Sequence, residues 1–277
     1  MRKQNLVGFA IAALLIHIIL PLLLQNPELY FFAMPLPWST VPLQAGIEGT
    51  AMHQSLTQSI GLGGVRASLL FFWIYTACIM VGTLLFGRRL QCSTLCLFNG
   101  FASEIFDPAI PLVGRFKTPL SKRSLTFTSL ARKGFFILSL GFTLYWALFR
   151  TGGIGQDQAI ISRVETLKYL IFELLMAMFF WVAFVGRLYC YYCPLGTLLS
   201  WIAKLGGQRI TTNETHCIQC KKCSVVCPLS IDVTSYAKKG IPVDNLRCVG
   251  CGHCVDICPT ETLLYSTNFS KLRHKYH

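Results

Sequence analysis

Apolar positions gather into four long stretches instead of alternating along short segments. They are residues 5–24 (NLVGFAIAALLIHIILPLLL), 67–87 (ASLLFFWIYTACIMVGTLLFG), 134–149 (GFFILSLGFTLYWALF) and 169–186 (YLIFELLMAMFFWVAFVG). A helix that crosses a bilayer needs about 20 mostly apolar residues, so the pattern predicts four membrane-spanning helices. The third stretch is short, and either recruits Ser129 to Ala131 or crosses with little tilt. The first follows Arg2 and Lys3 as a secretory signal would, but its apolar run is too long and no small-residue cleavage site follows. It reads as a retained anchor. Between the first two stretches, Tyr30, Phe31, Phe32 and Trp38 mix with Pro35, Pro37 and Pro42, a composition suited to the membrane interface. After the fourth, PLGTLLSWIAK (194–204) reads as a short interfacial helix leading into a polar tail.

Composition supports lipid as the main solvent. The chain is 53% hydrophobic and only 13% charged, where a soluble domain carries about a quarter charged residues. The net charge of +13 includes a basic run between the second and third apolar stretches. It therefore suits an anionic membrane face better than nucleic acid, which would require an organised groove-reading domain. Between the second and third stretches lie Arg88, Arg89, Arg115, Lys117, Lys122, Arg123, Arg132 and Lys133, against only Glu104 and Asp107. Loop 25–66 offers Arg66 at its edge, and loop 150–168 offers Arg150, Arg163 and Lys168. The positive-inside rule then predicts a multi-pass protein of the cytoplasmic (inner) membrane with both chain ends in the cytoplasm.

Twelve of the thirteen cysteines fall in tight clusters, which reads as metal ligation in a reducing compartment. Cys78, alone in an apolar run, reads as a small core residue. In the tail, CIQCKKCSVVCP (217–228) and CVGCGHCVDICP (248–259) each follow C-x2-C-x2-C-x3-C-P, the two-cluster ferredoxin run. Three thiolates on a tight loop grip one cluster and the fourth reaches the other. One [4Fe–4S] cluster is then expected on Cys217, Cys220, Cys223 and Cys258, and a second on Cys248, Cys251, Cys254 and Cys227. Paired four-cysteine runs with a trailing proline suit zinc poorly. The predicted fold is thus an all-α membrane bundle of four transmembrane helices over residues 1–204, built as two repeated hairpins. A small α+β two-cluster ferredoxin-like domain follows over 205–277.

The other cysteine pairs end the second and fourth stretches: GRRLQCSTLC with Cys92 and Cys96, and GRLYCYYCPLG with Cys190 and Cys193. Each half is a hairpin followed by Gly-Arg and two cysteines, a parallel repeat whose pseudo-twofold axis brings the pairs together at the cytoplasmic surface. Two readings stand: small residues at helix ends, or a third metal site, mononuclear or a small iron–sulfur centre. Arg88 and Arg187 favour the ligating thiolate, or only satisfy the charge rule.

A cluster-bearing domain tied to membrane helices calls for a lipid-soluble donor, and quinol is the natural substrate. Its oxidation releases protons, so ionisable groups within the apolar stretches become candidates. These are His17 and Glu173, both in the outer half of the bilayer by helical rise, as a quinol-deprotonating pair.

The layout resembles the NapH/MauN-type ferredoxin-like membrane proteins and is similar to the cluster-bearing membrane halves of nitrous-oxide respiration proteins. Those families read C-x3-C-P at each junction. Here Leu97 replaces the proline after Cys96, and Cys190 and Cys193 are spaced C-x2-C before Pro194. The resemblance implies a quinol dehydrogenase subunit that draws on the membrane quinone pool. Partner iron–sulfur or multihaem cytochrome subunits would carry its electrons to a respiratory reductase system for nitrate, nitrous oxide or a similar acceptor. The alternative is a membrane iron–sulfur maturation or reductive-assembly factor for a periplasmic metalloenzyme.

Overall fold

The structure, a computed structural model, describes residues 1–96, 98, 122–152, 158–183, 187–212 and 217–270. Several residues of the orientation argument, Glu104, Asp107, Arg115 and Lys117, lie outside this set, as does Gly186.

The described chain is mostly helical, and two helices are long and apolar enough to cross a membrane, Arg2–Leu24 and Ala51–Phe86. Their large apolar side chains face outward: Leu22 is 74% and Leu23 72% exposed, and Leu70, Trp73 and Val81 are open as well. Apolar surface on this scale requires lipid or a partner against it. The second helix is kinked at Gly61, whose φ of +71° favours glycine, so its long limb begins a few residues before the expected start at 67. Inward-facing Val65, Ser68, Phe72, Ile79 and Thr83 recur at helical spacing. Cys78 falls off this stripe and is exposed, so it is an outward-facing residue and not the core residue its apolar neighbours suggest.

The third and fourth apolar stretches are also helical. One helix covers Lys122–Arg150. The other runs from Gln158–Lys168 through Tyr169–Leu175 into Met176–Ala183. Three segments wind as π-helical turns: Leu15–Ile19, Leu90–Leu95 and Tyr169–Leu175. Such turns insert one residue into the helical repeat and recur at functional sites. They hold His17, Cys92 and Glu173.

The segment after the first helix does not lie flat along an interface. It forms short helices Leu29–Phe32 and Val41–Ala45, and buries Leu29, Phe32 and Ala45 completely against Leu56, Val65 and Phe72. Burial of these apolar side chains against the bundle explains why it folds inward.

Both junctions also turn inward. The chain reverses at Gly87, where φ is +77° and ψ −179°, a region open almost only to glycine. Residues 90–95 then run back beside the helix they have just left. Leu90 occupies the space a Cβ on Gly82 would need, Thr94 does the same at Gly8, and the Tyr75 hydroxyl donates to Gln91 Oε1 at 3.2 Å. Tyr75 precedes the helix end at Phe86 by about 16 Å of rise. In the second half the Tyr192 hydroxyl donates to the Phe172 carbonyl at 3.0 Å, again well inside its helix. The cysteine pairs therefore face the inside of the bundle. A Cβ on Gly87 would overlap the Tyr265 hydroxyl as well as strain the backbone. Gly87→Ala is expected to cost about 1–3 kcal/mol, read as a lower thermal midpoint of the purified chain; an unchanged midpoint would contradict this turn.

Helix Pro194–Leu205 starts with proline in its first turn, and the Gly196 amide donates to Cys193 Sγ at 3.4 Å. Leu195, Leu199 and Ala203 are buried, so it packs on the bundle instead of floating at an interface. Beyond it lies a small domain with a two-stranded antiparallel sheet, Arg209–Thr212 (β1) against Leu263–Ser266 (β2), in register Arg209 to Ser266 and Thr212 to Leu263. Short helices Lys222–Val225, Val233–Lys238 and His253–Asp256 complete it.

Candidate metal centres

Each ligand run of the tail is a loop that ends in one turn of helix. Lys221 and Gly252 take left-handed conformations at the start of those turns, which folds the cysteines of each run around a common space. One cavity of about 340 Å³ is lined by Cys217, Cys220, Cys223 and Cys258. A second of about 400 Å³ is lined by Cys227, Cys248, Cys251 and Cys254. The fourth cysteine of each run thus faces the other run's cavity. Among the described residues no three His, Cys, Asp or Glu side chains converge closely enough to hold a single metal ion. Tetrahedral zinc at about 2.3 Å would draw its sulfurs to within roughly 4 Å of one another. Four thiols spread around a cavity fit a polynuclear group better.

The sulfurs are well shielded. Burial pushes the Cys248 thiol up to about 12 and also raises Cys227 and Cys254. Burial would raise Cys258 too, but hydrogen bonds from Thr260 and Thr262 hold it below the usual thiol range. Without metal most of the second set is protonated at neutral pH, so ligation exchanges protons for metal.

The second ligand loop of the tail meets the bundle. Arg88 Nη1 donates to the Leu246 carbonyl at 2.9 Å, Ser93 Oγ to Val249 at 3.1 Å and Asn5 Nδ2 to Cys251 at 2.9 Å. Gln208 couples the two parts, accepting from the Arg88 amide at 2.6 Å and donating to the Cys248 carbonyl at 3.0 Å. The Tyr265 and Thr267 hydroxyls donate to the Phe86 and Leu85 carbonyls at 2.7 and 2.9 Å, satisfying the exposed end of that helix.

The four junction cysteines, Cys92, Cys96, Cys190 and Cys193, line one cavity of about 450 Å³ with Arg88, Trp38 and Tyr189 in its wall. Trp38 comes from the inward-folded segment and donates to the Tyr189 hydroxyl at 2.7 Å. The two arginines cross between halves. Arg187 is fully buried and donates to the Cys92 carbonyl at 3.0 Å. Arg88, 2% exposed, reaches Gly196, where a Cβ would stand 2.9 Å from its Nη2 and 3.6 Å from Cys193 Sγ.

His17 and Glu173 do not meet. His17 is exposed on the outer face of its helix and stacks on Tyr30 with centroids 5.3 Å apart. Glu173 is 1% exposed and pairs with Lys168 at 2.8 Å, a contact hidden from a reading that placed Lys168 in a loop. Its other oxygen has no hydrogen-bond partner among the described residues. Tyr30 packs edge-on to Trp38 at 6.2 Å, and Trp38 edge-on to Tyr169 at 5.8 Å, so an aromatic cluster separates His17 from the cysteine cavity. Glu165 is a further buried carboxylate that the sequence did not single out. It accepts from Gln44 Nε2 at 3.0 Å, Trp146 Nε1 at 2.8 Å and the Thr40 hydroxyl. These bonds pin the inward-folded segment.

Residues 210–264 match the family model of the 4Fe–4S dicluster domain. The uncharacterized protein MJ0749 of Methanocaldococcus jannaschii is 33% identical over 78 residues, which are 27% of this chain and 32% of that protein, so the likeness covers about a third of the relative's length. No solved structure matches the chain. The family match falls on the segment whose cysteines line the two tail cavities, and supports an iron–sulfur dicluster domain of ferredoxin type there, carried on a mostly helical chain.

Proposed function

We propose that the chain is a membrane-bound electron-transfer subunit that oxidises quinol and delivers electrons toward a respiratory reductase system through partner iron–sulfur or multihaem cytochrome subunits. The observation that carries this reading is the hydrogen-bonded seam between the dicluster domain and the end of the apolar bundle, made by the loop that bears Cys248 and Cys251. A freely diffusing electron carrier has no use for that seam. Four crossings in the inner membrane with both ends in the cytoplasm fit the outward-facing Phe127, Ile137, Phe179 and Val182 of the third and fourth helices. Clusters bound by the tail cysteines would accept and give single electrons.

The chain's own residues would handle the protons. His17 and Tyr30 form a stacked pair on the lipid side where a quinol head group could lie, and the Glu173–Lys168 pair behind them offers a buried proton acceptor. Glu173→Gln and His17→Ala are each expected to slow quinol-driven reduction of the anaerobic protein in lipid by about a hundredfold. Reduction by dithionite should be unchanged. Wild-type rates in both variants would remove these residues from quinol chemistry.

A further inference from the structure

We infer that Cys92, Cys96, Cys190 and Cys193 hold a third iron–sulfur cluster, of cubane size, inside the helical bundle. The inference rests on the electron-carrier reading above, and its test needs no quinol.

Size is the first reason. The junction cavity encloses no less space than either tail cavity, and like them it is lined by four cysteines. Its sulfurs, like those of the tail, are not gathered tightly enough for a single ion. Charge is the second and independent reason. Arg88 is almost fully buried, and a cation without a counter-charge in a low-dielectric interior is costly. Among the described residues no carboxylate lines the cavity and none pairs with Arg88. Arg132 adds to the positive side, held behind the cavity by Thr197 at 2.9 Å and Ser200 at 2.6 Å. Four neutral thiols would leave Arg88 without a counter-charge among the described residues. Four thiolates on an iron–sulfur core are net anionic and supply one.

Symmetry supplies the third reason. The arginine of each half reaches the cysteine segment of the other, Arg187 to Cys92 and Arg88 to Gly196 beside Cys193, so the two halves are clamped around one anion. Placement gives the site its use. The turn that bears Cys92 runs back beside Tyr75, within the span, while Ser93 and Arg88 hold the second ligand loop of the tail. The third site therefore stands between the bilayer interior and the tail, as a relay for a donor dissolved in lipid requires.

The test is the iron, acid-labile sulfide and zinc content of the whole chain, purified anaerobically, beside the double variant Cys92→Ser/Cys190→Ser. Wild type is expected to hold about twelve irons and twelve sulfides per chain, and the variant about eight of each. The tail's spectrum should persist in the variant. About eight irons in wild type, with or without one zinc, would overturn the inference, and this count decides even if the variant fails to fold. Neither result depends on whether quinol is the donor.

Discussion

Stripping iron from the whole chain is expected to unfold the tail while leaving the bundle helical. The tail's regular structure is slight: two four-residue strands and helices of four, six and four residues. Its apolar centre, Ile210, Leu229, Ile231, Val233, Val243, Val249 and Leu263, is too small to hold a domain of this size without metal. The backbone bonds within the ligand loops are those of one helical turn each, and the loops enclose the two cavities, so cluster binding and folding are expected to form one equilibrium. Chelation should remove amide-exchange protection across residues 217–258, as should Cys248→Ser or Cys251→Ser for the second loop. The seam to Arg88, Ser93 and Asn5 should open with it, exposing the Leu85 and Phe86 carbonyls that Thr267 and Tyr265 cover. Unchanged protection after complete iron loss would contradict a metal-dependent tail.

Lys168→Met should be among the most destabilising single changes in the bundle. Lys168 is 6% exposed, its ammonium lies 2.8 Å from Glu173, and it sits over the rings of Phe135 and Phe142 at 5.4 and 5.7 Å. Methionine keeps most of the volume but leaves the carboxylate buried and alone. Removing one partner of a buried pair costs about 3–5 kcal/mol. Adding Glu173→Gln removes the stranded charge and is expected to recover most of the loss. Thermal unfolding in detergent reads both changes. A Lys168→Met midpoint equal to wild type would mean that the pair does not form.

The tail was the most legible part of the sequence because cluster ligation imposes fixed spacing. The division of its cysteines into two crossed groups of four can be read from C-x2-C-x2-C-x3-C-P alone, and the same division lines the two cavities. The first two spans were legible from length and apolarity. What escaped is instructive. Gly-Arg-Arg after an apolar run reads as a chain leaving the membrane, yet Gly87 reverses it and Arg88 turns inward, because buried carbonyls and the cysteine cavity offer that cation partners. The π-helical turns at His17, Cys92 and Glu173 carry no sequence signal, since one extra residue in a uniformly apolar stretch shifts no visible pattern. Lys168 looked like a loop charge and Glu165 did not stand out, because their partners, Glu173, Gln44 and Trp146, come together only through packing. Cys78 looked internal because apolar neighbours surround it in sequence, but in a helix whose outer face is apolar they surround the outside as well.

Electron paramagnetic resonance of the anaerobic, dithionite-reduced whole chain bears most directly on the central claim that the tail cysteines hold paired iron cubanes. The predicted spectrum is that of neighbouring reduced [4Fe–4S] centres broadened by their mutual coupling, growing in as the brown absorbance of the oxidised protein bleaches. A reduced sample with no such signal, carrying zinc in place of iron, would contradict the account.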